Sequence, residues 1–124
     1  MNDDAILRQE IRASLSGARS LIRCYSGLYS GEDLIRDVLK ACDEVAQTSA
    51  STPRLREARR IVQERCTKLV RDADRFSMRD PATIAASRAQ AFASIDTFQD
   101  ALLEIRRIEG AAPRIGALLR RRSL

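Results

Sequence analysis

Apolar residues return along this chain in steps of three and four, the spacing that aligns one face of an α-helix, and they do so in four separate segments. In the first, from about Asp3 to Leu28, a stripe of Ile11, Leu15, Ala18, Ile22 and Tyr25 is widened by Leu7, Leu21 and Leu28. Asp3 and Asp4 fall in its first turn, where the helix dipole favours anions. Gly17 lies inside the segment, where glycine costs about 1 kcal/mol against alanine, so the sequence predicts a kink at Ser16–Gly17.

The second segment opens at Ser30-Gly31-Glu32-Asp33, with Ser30 in a capping position. Its stripe is Ile35, Val38, Cys42 and Val45, flanked by Leu34, Leu39 and Ala46, and it ends in the polar run 48–52. Thr52-Pro53 and Asp80-Pro81 each set a capping side chain before a proline at the first helical position. They open the third segment, 53–76, with its stripe of Leu55, Val62, Cys66, Leu69, Ala73 and Phe76, and the fourth, about 81–109. Ile84, Arg88, Ala91, Ile95, Phe98, Leu102 and Ile105 step 4-3-4-3-4-3 along the fourth, a heptad seam. Gly110 and Pro113 predict where it stops.

Short links make sequential helices antiparallel neighbours. The sequence therefore predicts an all-α fold, an antiparallel up-down four-helix bundle over 1–110, followed by a short basic amphipathic tail over 111–124. At 1.5 Å per residue the four helices measure about 39, 26, 36 and 44 Å. The second is too short to cover the first and fourth, and the seam left over predicts a homodimer or larger homo-oligomer. Leu15, Ile22, Val38, Val62, Leu69, Ile95, Phe98 and Leu102 are the expected core.

Composition narrows the chemistry. A chain of 124 residues suits one small domain, and 5 glycines with 3 prolines are too few breakers for an all-β fold. The absence of His closes Ser–His–Asp triads and most zinc and iron sites. With no Trp and 4% aromatics, stacking platforms for single-stranded nucleic acid are not expected. Cys24, Cys42 and Cys66 are odd in number and lack C-x-x-C spacing, which predicts reduced thiols and a cytoplasmic setting. The opening MNDDAILRQE lacks the apolar core of a secretory signal, and no uncharged run approaches the roughly 18 residues of a membrane span. No base stands beside a Ser or Cys nucleophile, and no Gly-rich loop has the form that cradles phosphates. No catalytic residue, cofactor site or metal site is expected, and the chain is not expected to be an enzyme.

Charge is distributed by segment. Residues 53–79 carry nine basic and four acidic side chains, whereas 31–52 carry two against five and 80–105 one against four. Residues 106–124 add six arginines against Glu109, and the whole chain is +5. Such alternation predicts neighbouring helices with complementary surfaces. Arg outnumbers Lys twenty to two, the usage of a GC-rich, bacterial-type genome. Arg88 is the one charge on the seam: it is either a buried arginine that fixes register or contacts a ligand, or it snorkels to water where the seam is open. Asp96, Asp100 and Glu104 form a solvated acidic row on the outer face of the fourth helix.

The function these features predict is non-catalytic: an adaptor, export chaperone or regulator that binds a protein partner through apolar helix faces rimmed by Arg. The candidate partner-binding residues are Ile61, Val70, Leu103, Ile108, Ile115, Leu118 and Leu119. The alternative is a nucleic-acid-binding helical module, with Arg56, Arg59, Arg60, Arg71, Arg120, Arg121 and Arg122 as anion-binding candidates, helped by Arg106 and Arg107. Against it, Glu57 and Glu64 interrupt the basic helix at pairing distance.

Overall fold

This computed structural model describes residues 2–26, 30–47, 49–76 and 80–111, and the described residues form five helices. They are α1 (Asn2–Ser14), α2 (Ser16–Cys24), α3 (Gly31–Ala46), α4 (Pro53–Phe76) and α5 (Pro81–Ala111). The fold is all-helical, and the described residues contain no strand. The expected tail falls almost entirely outside the described residues, as do Leu28 and Tyr29.

The count of five corrects the expected four, because the first periodic segment is two helices. The break falls at Leu15 (φ −92°, ψ 1°), one residue before the kink the sequence predicts. Leu15 still receives the amide bond of a helix, its N–H donating to Ile11 O at 3.0 Å, and its own carbonyl accepts from Arg19 N at 3.1 Å. The bend therefore leaves Leu15 fully buried, while Gly17 faces open space. Apolar periodicity runs through such a bend undisturbed, which is why the stripe alone does not reveal it.

The helix starts follow their caps. Thr52 Oγ1 accepts from Leu55 N at 3.1 Å ahead of Pro53. Asp80 accepts from Thr83 N at 3.1 Å and from Thr83 Oγ1 at 2.6 Å ahead of Pro81. Those bonds hold the Asp80 carboxyl below its ordinary pKa. Ser30 stands at the cap of α3 but contributes no side-chain bond; its carbonyl accepts from Leu34 N instead. Glu32 and Asp33 supply the negative charge that this helix start favours. At the far end of α5 the helix passes through Gly110 to Ala111, two residues beyond the expected end at 109.

All eight expected core residues are buried, within a single cluster that draws on every helix. The most extensive interface joins α4 to α5; α1 and α2 lie against α5, and α3 lies against α2 and α4. Gly31 is at a close approach, since a Cβ there would overlap the Val70 side chain. Any larger residue at 31 would push the start of α3 away from α4.

Cys42 and Cys66 belong to the core, and burial pushes both thiols up to about 12. Cys24 is exposed. A disulfide reagent at neutral pH should therefore titrate one thiol rapidly in the folded chain and three after denaturation. Rapid reaction of all three without denaturant would contradict the placement of α3 and α4.

Candidate functional site

Arginines of α5 close the ends of other helices. Arg88 Nη1 donates to the carbonyls of Ile22 at 2.9 Å, Arg23 at 3.0 Å and Tyr25 at 2.6 Å. These carbonyls lie at the C-terminal end of α2, where Ile22 O also accepts from Tyr25 N at 3.4 Å, and a cation suits a helix C-terminus. Arg106 does the same for α3, donating from Nη2 to Val45 O at 2.6 Å and from Nε to Ser49 Oγ at 3.2 Å. Arg107 forks onto Asp4 at the start of α1, and this pair holds Asp4 below its ordinary pKa. Of the roles open to Arg88, the bonds to the end of α2 match the one that fixes register.

The acidic row of α5 is not simply solvated. Asp96 receives Arg19 Nη2 at 2.6 Å, and Glu104 pairs with Arg54 of α4. Arg19 is the buried arginine of the described residues, 7% exposed, and it also donates to Gln99 Oε1 at 2.7 Å and Arg12 O at 3.4 Å. Nothing in its sequence context singles it out: it sits one position from the Ala18 stripe, where a solvated charge is the ordinary expectation.

The anion-binding candidates of α4 are largely occupied. Arg59 forks onto Asp43 of α3 at 2.8 and 3.0 Å, and Arg60 pairs with Glu57 at 2.6 Å and Glu64 at 2.8 Å. Arg56 donates to Ser51 Oγ at 3.2 Å. Arg71 is exposed. Arg120, Arg121 and Arg122 lie outside the described residues.

The partner-binding candidates separate by burial. Leu103 is 3% exposed and part of the core, which corrects its assignment to an outer face. It lies beside Leu102 at the edge of the stripe, and the buried arc of α5 is wide enough to take in both. Ile61 is half-buried, as is Val70, which packs against the core beside Gly31. Ile108 is 63% exposed. Ile115, Leu118 and Leu119 lie outside the described residues. Ile6, absent from the sequence-derived candidates, is 51% exposed on α1. The Asp4–Arg107 pair brings the start of α1 to the end of α5, so Ile6 and Ile108 stand at one end of the molecule.

Two further polar features stand out. Between α4 and α5, the Asp72 carboxylate accepts from Lys68 Nζ at 2.8 Å and from the buried Ser87 hydroxyl. The Lys68 bond, then the Ser87 bond, holds the Asp72 carboxyl below its ordinary pKa. A carboxyl whose pKa is lowered by folding contributes stability above the ordinary aspartate range and loses it as pH falls through that range. Asp72→Asn should thus lower the melting temperature at neutral pH and flatten its decline on acidification. An unchanged acid limb would show that the cluster is unlinked to folding.

The second feature is a recess of about 640 Å³ over the α1–α2 bend. Arg12, Ser16, Arg19 and Arg23 follow one another in steps of 4-3-4 and share one helical face there. Gln9, Ser20 and Phe92 also line it. The Arg19 and Arg23 guanidiniums stand 5.9 and 5.4 Å from the centre of the Phe92 ring.

Among the described residues, no group of three or more His, Cys, Asp or Glu side chains is placed to hold a metal ion, and no helix is long and apolar enough to cross a membrane. Compared with known family models, curated proteins and solved structures, the chain matches none.

Proposed function

We propose that this chain is a non-catalytic cytoplasmic interaction protein of the adaptor, export-chaperone or regulator kind. Its helices pack as an antiparallel bundle in which α1 and α2 together fill one position. The contacts that support this run in opposite order along the paired helices: Asp4 with Arg107, Arg19 with Asp96, and Arg88 with the end of α2. The partner is another polypeptide, and a second copy of the chain is the first to test.

The observation that carries this reading is the pair of large aliphatic side chains, Ile6 and Ile108, exposed at one end of the molecule beside Arg107 and Arg8. Exposed apolar residues bordered by charge mark interaction surfaces. The nucleic-acid alternative draws less support, because Arg54, Arg59 and Arg60 are engaged by Glu104, Asp43, Glu57 and Glu64.

Light scattering across the micromolar range should give a mass above the 13.9 kDa of one chain. Ile6→Ser with Ile108→Ser should return the monomer mass while leaving the melting temperature of the monomer unchanged, since neither side chain is in the core. A monomer at every concentration, together with no partner retained from a cell extract that is lost on the same double substitution, would remove the proposal.

A further inference from the structure

The recess over the α1–α2 bend gathers three guanidiniums, from Arg12, Arg19 and Arg23, with Asp96 as the carboxylate paired among them. Arg19 is immobilised: one Nη1 bond to Arg12 O and Nη2 bonds to Asp96 and Gln99 fix the plane of its guanidinium. Arg23 is drawn over the same Phe92 ring that Arg19 faces. Holding like charges around one ring costs electrostatic free energy that an anion in the recess would offset. On α4, by contrast, Arg60 is interleaved with Glu57 and Glu64. On the 12–23 face the intervening residues are Ser16 and Ser20, which are neutral and offer hydroxyl donors.

The chemistry of this lining is specific. Planar guanidiniums bond phosphoryl oxygens two at a time, and the exposed Arg12 and Arg23 offer that geometry, whereas Arg19 Nη2 is already bonded to Asp96 and Gln99. The face between Arg12 and Arg23 extends over about 16 Å of helix at 1.5 Å per residue. The recess, at about 640 Å³, is larger than a single phosphate ion needs and is of the size that holds small-molecule ligands.

We propose that this recess binds the phosphate chain of a small phosphorylated ligand at least two phosphoryl groups long. Arg12 and Arg23, which are exposed, supply the bonds from either side, and Arg19, held by Asp96 and Gln99, adds a fixed positive charge. The site is separate from the Ile6–Ile108 end, and its occupation does not depend on the partner proposed for that end.

Isothermal titration of the full chain at physiological salt tests this with two probes, inorganic pyrophosphate and adenosine diphosphate. Saturable one-to-one binding of pyrophosphate is expected. Arg12→Gln with Arg23→Gln should weaken it by at least about tenfold, or 1.4 kcal/mol. Arg56→Gln with Arg71→Gln, which removes equal charge from α4, should leave it within about twofold. Arg12 and Arg23 are exposed, so the double variant should keep its helix content by circular dichroism; the single Arg23→Gln variant, with a smaller loss, serves if it does not. Tighter binding of adenosine diphosphate than of pyrophosphate assigns a nucleotide, and equal binding assigns the phosphate chain alone. Absence of saturable binding by either probe, or equal weakening by the α4 variant, overturns the proposal.

Discussion

Phe98→Ala is expected to destabilise the chain by about 3–5 kcal/mol, the usual cost of emptying a buried aromatic site. Phe98 is 1% exposed and is the largest of the fully buried side chains. It lies on the seam of α5 between Ile95 and Leu102, both fully buried, so the surrounding helices have little room to collapse into the space. A domain of this size holds about 5–15 kcal/mol in all, so the variant should retain at most a thin margin at room temperature. Urea unfolding followed by circular dichroism measures the loss. A value under about 1 kcal/mol would mean that α5 is rotated from the register described here. Phe98→Leu, which leaves a smaller void, should recover most of the difference.

That register is legible in the amino-acid sequence, because it depends on periodicity alone. Ala91, Ile95, Phe98, Leu102 and Ile105 are all buried, as the 4-3 steps require. Caps at Thr52 and Asp80 are legible for a related reason: each is a short polar side chain immediately ahead of a proline, and both signals are local. What the sequence conceals is long-range. Arg19 and Asp96 are 77 residues apart and Arg107 and Asp4 103 residues apart, so neither spacing along a helix nor segment charge can pair them. Glu57 and Glu64 are visible on α4 itself, but the partners of Arg59 and Arg54, Asp43 and Glu104, lie on other helices, so the sequence overstates how much of the basic stretch is open to an anion. Leu103 reads as outward-facing for the same kind of reason, since a stripe gives the centre of a buried face but not its width. The recess at the α1–α2 bend is hidden twice over: its arginines look like ordinary solvated positions, and Phe92 joins them only through tertiary packing.

Arg88 is where these two kinds of information meet, and Arg88→Ala is expected to cost about 2–3 kcal/mol. Its position on the seam is read from sequence; its role comes from what faces it. In α5 the seam runs from Ala91 toward Ile84, and at Arg88 it meets the end of α2, where the helix has released its last carbonyls and Tyr25 has turned to an extended conformation (φ −66°, ψ 120°). An aliphatic side chain at this place would take the charged donor away from the carbonyls of Ile22 and Tyr25. Arginine instead fills the position with its methylenes and carries a charged donor to the oxygens. Slippage of α5 by one turn would part Nη1 from them, so the bonds select one register among those that the heptad pattern allows. Removal should therefore act locally as well as globally. Amide exchange at the end of α2 should accelerate more than exchange in α4, and the urea midpoint should fall. Arg88→Lys keeps the charge but offers a compact ammonium on a shorter reach, and it should restore only part of the loss. If Arg88→Ala shifts stability by less than about 0.5 kcal/mol, water satisfies those carbonyls as well as the guanidinium does, and α5 takes its register from apolar packing alone.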